Sequence, residues 1–210
     1  MAGTLADLQA RIATDLTRSD LTSQIANAVT DAVNFYARER FWFNTSRSLT
    51  FNTVASQIAY TVSDYSVIPL LVKIDALFVP QAQSVLPLDR YEPADFEMLN
   101  NASTGGGIPK AFTYVDQAIR LWPTPNTVFA MILHAHYKFP ALVNGSDTNA
   151  WTTDAEELIR SHAKLLLYTD VLEDQDGASR MSQKVPVLLA NLRAESSSRM
   201  SNGIIKPVDF

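Results

Sequence analysis

The chain has 210 residues, 47% hydrophobic and 19% charged, with a formal net charge of −5 and no cysteine. Such a length suits one domain, or one with an inserted subdomain, and buries roughly 70% of the unfolded surface without a covalent staple. Composition excludes disulfides, thiolate metal sites and a cysteine nucleophile. The acidic balance argues against a basic nucleic-acid face, and no apolar run reaches the roughly 18 residues of a membrane span.

Leu5, Leu8, Ile12 and Leu16 recur at helical spacing, so a first helix is expected over about Leu5 to Leu16. Thr4 caps it, with Asp7 completing a capping box. A second helix follows over about Leu21 to Arg40, capped by Ser19 or Asp20. Its stripe is Leu21, Ile25, Ala28, Val29, Ala32 and Tyr36. The short link makes the two antiparallel neighbours. "FYARERFWF", Phe35 to Phe43, then reads as a hydrophobic junction edged by Arg38 and Arg40, with base stacking as the competing reading.

From Ser48 the period changes to two. Leu49 and Phe51 mark one strand; Ile58, Tyr60 and Val62 mark the next. A longer strand sets Leu70, Val72, Ile74, Ala76 and Phe78 on one face, with Lys73 and Asp75 opposite. A short strand near Val85 precedes a small helix from about Pro93 to Asn100, with Pro93 in the first turn where a missing N–H costs nothing. The glycines of "STGGGIP" read as a loop, and without a following Lys-Ser/Thr they form no phosphate cradle. "KAFTYVDQAIRLWP" is a hairpin turning at Asp116-Gln117. The strand after it places Phe129, Met131, Leu133, Ala135, Tyr137 and Phe139 on one face.

Helices then return. One starts at Thr153 or Asp154 and runs to about Glu173, burying Leu158, His162, Leu165, Leu166, Thr169 and Leu172. Asp154, Glu156 and Glu157 suit the positive end of its dipole. The last spans about Ala178 to Met200, with a kink or break expected at Pro186 and an end at Asn202-Gly203. "IIKPVDF" follows as a tail. The order gives an α+β architecture: a helical bundle from 1–44 and 150–202, a mostly antiparallel β insertion over 45–149, and a tail over 203–210.

Candidate chemistry is thin. His134-x-His136 puts two imidazoles on one strand face, but a metal site wants three or four ligands, and the pair reads as strand surface. Adjacent Glu156 and Glu157 point apart on a helix and do not make an acid–base pair; Glu92, Asp95 and Glu97 read as helix flank. Trp122 and Trp151 read as packing anchors, and no Ser stands in a G-x-S-x-G elbow. No catalytic, cofactor or metal site is expected, and no membrane contact.

"IRLWPTP" (119–125), "YKFPAL" (137–142) and "SDTNAW" (146–151), followed by "ELIRSHAKLLLY", together with the two-helix opening and its Arg-x-Asp turn, resemble the head-to-tail adaptor family of tailed phages and prophages, also called connector or head-completion proteins. The resemblance implies a structural virion protein, made in the host cytoplasm and placed at the neck. Its copies form a ring, usually a dodecamer, beneath the portal protein. The ring meets a tail or nozzle protein and lets genomic DNA pass without specific binding. The helical bundle builds the ring wall, and the β insertion lies outside or towards the tail. The C-terminal tail reaches the portal, so Ile204, Ile205, Lys206, Pro207, Val208 and Phe210 are its expected contacts. Asp154, Glu156 and Glu157 are the acids expected to face the lumen, where negative charge would not trap phosphates. Two alternatives stay open: a tail-associated accessory protein that cleaves peptidoglycan, and a host-cell binding module.

Overall fold

A computed structural model describes residues 3–82, 84–100 and 106–200. The fold is α+β, and the chain divides into two compact units: 1–43 with 139–210, and 44–138. The expected loop at Ser103–Gly105, the expected helix end at Asn202-Gly203 and the tail contacts at Ile204, Ile205, Lys206, Pro207, Val208 and Phe210 lie outside the described residues.

The helical unit holds α1 (Leu5–Leu16), α2 (Thr22–Tyr36), α4 (Glu156–Asp170) and α5 (Gln175–Met200). Thr4 caps α1 reciprocally: its Oγ1 accepts the Asp7 amide at 3.1 Å while its own amide donates to Asp7 Oδ2 at 3.0 Å. Leu5, Leu8 and Ile12 are buried as their spacing dictates. The cap of α2 differs from expectation. Leu21 holds the cap position with no side-chain bond, because Arg18 takes the Asp20 carboxylate through two 2.7 Å bonds. That guanidinium holds the Asp20 pKa down at about 2. α2 also ends at Tyr36 rather than Arg40, before the junction aromatics.

α4 starts at Glu156 with Ala155 at its cap, not Thr153 or Asp154, and ends at Asp170. It buries Leu158, Ile159, Ser161, His162, Ala163 and Leu167; Leu165, Leu166 and Leu172 are half-buried and Thr169 is exposed. The cause is that α1, α2 and α5 all pack on α4, which widens its covered face and brings small residues into it. α5 runs unbroken through Pro186. That proline is exposed, so the carbonyl four residues back, at exposed Ser182, is left facing water. The segment 139–149, expected with the β insertion, belongs to the helical unit: Asp147 and Gly145 carbonyls accept the Leu5 and Ala6 amides at 2.9 Å each.

The β unit pairs its strands into two four-stranded sheets. One runs β1 (Thr45–Asn52), β8 (Ala130–Tyr137), β3 (Leu71–Pro80), β4 (Val85–Pro87), all antiparallel. The other runs β2 (Ala59–Tyr60), β7 (Ala118–Trp122), β6 (Ala111–Val115), β5 (Asp89–Arg90), where β5 and β6 are parallel. Both contribute to one core that includes Phe51, Ile74, Leu77, Leu133, Phe112 and Ile119. The β6–β7 turn falls on Asp116 and Gln117, whose φ of 52° and 55° suits a two-residue hairpin. α3 spans Pro93–Asn100 as expected.

Two expected faces change. Leu71, Ile74, Leu77 and Val79 are the buried residues of β3, whereas Val72 is exposed and Phe78 half-buried. Register shifts against β8, between Leu71 and Lys73 and between Ile74 and Ala76, move side chains to the other face. Leu70 belongs to the preceding 3-10 turn, Ile68–Leu70. β2 stops at Tyr60, so Val62 is exposed beyond it; Asp64 ties back to the Thr61 amide at 2.7 Å and closes a turn there.

Candidate functional site

The loop "VNGSDTNAW" between β8 and α4 is built on one carboxylate. Asp147 Oδ2 accepts the amides of Val143 and Asn144, both at 2.8 Å, and these bonds lower its pKa below the usual carboxylate value. The turn so formed presents the Gly145 and Asp147 carbonyls to the first amides of α1, which have no intrahelical partner. Asn149 Oδ1 then accepts the Trp151 amide at 2.9 Å and points the indole inward. Trp151 is buried, with Phe41 and Phe43 edge-on at 5.8 and 5.1 Å. Phe43 stacks on Phe139 at 6.1 Å. The junction aromatics are therefore core of the helical unit, and Trp151 is its anchor.

The acids singled out in the sequence differ in availability. Asp154 is exposed and accepts the Thr153 hydroxyl at 2.9 Å. Glu157 is exposed but pairs with Lys184 of α5 at 2.8 Å, a bond that lowers its pKa. Glu156 lies between Arg11 of α1 at 3.3 Å and Arg160 at 3.7 Å. The same row continues through Asp15, which Lys164 bonds at 2.7 Å and Arg160 approaches to 3.9 Å. Alternating signs clip α1 to α4, so Glu156 is a fastener between helices.

The three histidines do not gather. His134 tilts on Phe78 at 4.8 Å, and His136 is buried in the β unit. His162 sits in the helical unit between Phe35 and Tyr36, at 5.0 and 5.2 Å, with Nδ1 buried and without a hydrogen bond. Loss of hydration there lowers its pKa. Among the described residues, no group of three or more His, Asp or Glu side chains is placed to hold a metal ion.

Sequence reasoning missed a second fastener. The Arg199 guanidinium lies 4.0 Å over the Trp42 ring, Ser196 Oγ accepts the Trp42 amide at 3.3 Å, and Arg193 pairs with Glu39. Three positions in the last turns of α5 thus hold the segment that leaves α2. The partners are more than 150 residues apart, at 154 for Trp42 and Ser196, so no local pattern announces them.

No curated protein matches the chain. The family model of the SU10 adaptor protein matches residues 3–202, which takes in both units and nearly every residue. The paired charges, the aromatic anchor and the loop cap all serve shape, and with that match the chain belongs to the SU10 adaptor protein family of phage head-to-tail adaptors, structural proteins of the virion.

Proposed function

We propose that copies of this chain close into a ring, a dodecamer, at the neck of the phage particle, between the capsid portal and the tail or nozzle protein. The ring is hollow and genomic DNA passes along its axis. The chain makes and breaks no covalent bond. The observation that carries this reading is the family match across 3–202, which covers the helical and β units together. A net charge of −5 per copy supports a passage that does not hold phosphates, since trapping them takes a surplus of Lys and Arg. Asp154 and Glu157 are exposed enough to line that passage, Glu157 with Lys184 beside it; Glu156 is half-buried between Arg11 and Arg160. Domains assign accordingly: the bundle is the ring wall and the residues from 203 are the portal arm, with Ile204, Ile205, Lys206, Pro207, Val208 and Phe210 as its contacts.

Purified protein is mixed with isolated portal rings and imaged. Density for this chain stacked on the portal, in closed rings, is the expected result. A chain lacking 204–210 should lose portal binding; unchanged binding overturns the arm's role. Release of muropeptides from peptidoglycan by the pure protein overturns the non-enzymatic reading.

A further inference from the structure

Beside α2 the helical unit keeps an open groove of about 230 Å³. Its floor is apolar: Ala28 of α2 with Leu166 and Leu167 of α4. Asp31, Asp170 and Val171 stand on its rim. One turn past Asp31 along α2, Phe35 is 71% exposed. It does not swing freely, because Tyr36 and His162 hold its ring edge-on at 4.9 and 5.0 Å. An apolar floor thus runs out to a fixed aromatic that water covers.

The two rim acids have no cation to answer them. Among the described residues neither Asp31 nor Asp170 makes an ion pair. Thr22–Tyr36 holds no other charged residue, and Asp170 ends α4, where the last carbonyls add negative potential and no basic residue stands in the last turn. The complement lies on another face of the same unit. On the exposed side of α5, Arg180, Gln183, Val187, Ala190 and Ala194 recur at helical spacing, and none of them lines the groove. Arg180 makes no ion pair among the described residues, whereas Lys184 is committed to Glu157; Val187 is 58% exposed. The lengths agree. Arg180 to Val187 covers about 10.5 Å of helix, and Asp170 to His162, against which Phe35 rests, covers about 12 Å. With Arg180 at the acids, Val187 falls at Phe35, and Asp176, one turn before Arg180, falls at Gln24 on the rim.

We infer that the groove between α2 and α4 takes the exposed face of α5 from a second copy of this chain, with Arg180 entering between Asp31 and Asp170 and Val187 meeting Phe35. This rests on the adaptor reading and names the contact through which copies join. The acids repel phosphate, so DNA is not the occupant. A purely apolar segment would cover the acids and leave them unpaired, which is costly. The occupant must set a cation one to two turns from an aliphatic side chain, as α5 does. Groove and cation lie on different faces, so each copy gives one and receives the other. Such a head-to-tail contact repeats from copy to copy and closes into a ring when the rotation allows.

The test adds the full chain to isolated portal rings and counts its closed rings in images. Arg180→Asp brings a third acid to the groove and should lower the yield of closed rings by about tenfold or more, with circular dichroism unchanged. Adding Asp31→Arg to that variant restores an opposite pair and should recover the rings. Because the chain has no cysteine, the contact can also be read covalently. Asp31→Cys chains mixed with Arg180→Cys chains should give, with a short bis-maleimide, a dimer of one of each, and neither chain alone should dimerise. Both sites are exposed, so this pair carries the test if a charge variant fails to fold. Closed rings from Arg180→Asp at the parent's yield overturn the inference, whether or not they still seat on the portal. So does a double variant that recovers nothing, and so does absence of the mixed dimer. If the parent itself forms no ring on the portal, the adaptor reading falls and takes the inference with it.

Discussion

The two units solve the problem of holding shape by different means. In the helical unit the helices are clipped by charge: Arg11, Glu156, Arg160, Asp15 and Lys164 between α1 and α4, Lys184 to Glu157 between α4 and α5. In the β unit the same task falls to backbone bonds and neutral hydroxyls, such as Thr53 and Tyr60, above a core drawn from both sheets. A helix satisfies its own backbone and must be oriented by side chains; a strand is oriented by its backbone partners. The difference teaches where each unit is vulnerable.

The largest effect is expected at Trp151. Trp151→Ala empties the centre of the aromatic cluster and should cost about 3–5 kcal/mol, read in chemical denaturation as an early loss of helical signal. A midpoint shifted by less than a third of that would mean the anchor lies elsewhere. In the β unit, Thr53→Val keeps shape but strips the buried hydroxyl from the Phe129 amide and the Thr127 carbonyl. It should cost about 1–3 kcal/mol and raise amide exchange at Phe129, with helical amides unmoved. Spread of the exchange into α1 or α4 would erase the contrast between the units.

Smaller still is Thr4→Ala, which removes one half of the capping box at α1 and should cost about 1 kcal/mol, visible as a lower thermal midpoint. The smallest effect is a pH dependence confined to the helical unit. His162 has a lowered pKa in the fold, so the unfolded chain takes the proton first. Stability is full above the unfolded value of about 6.5 and declines as pH falls below it, until the folded pKa is passed. His162→Gln should flatten that decline in thermal midpoints taken from pH 8 downward; an unaltered slope assigns it to another group.

What the sequence made legible was whatever depends on neighbours in the chain. The Thr4–Asp7 box and the Asp116-Gln117 turn are local chemistry, and both are where the residues put them. The face of β3 was illegible because its register shifts are settled by β8, some sixty residues away. α4 was half legible: its stripe shows in the spacing of Leu158 and His162, but Ser161 and Ala163 are buried by three neighbouring helices at once. Asp20 looked like a cap and is instead spent on Arg18. As for the site, the acids were found by type and helix position, while their pairing with Arg11 and Lys184 comes from packing.

Thr45 at the start of β1 lies opposite His136 near the end of β8, so the β unit's first and last strands begin and finish side by side. A module whose two ends meet can be lifted out and resealed with a few linking residues, or replaced by another module with the same spacing. The ends' proximity thus leaves the chain path of the other half intact when this module is exchanged for one with the same spacing.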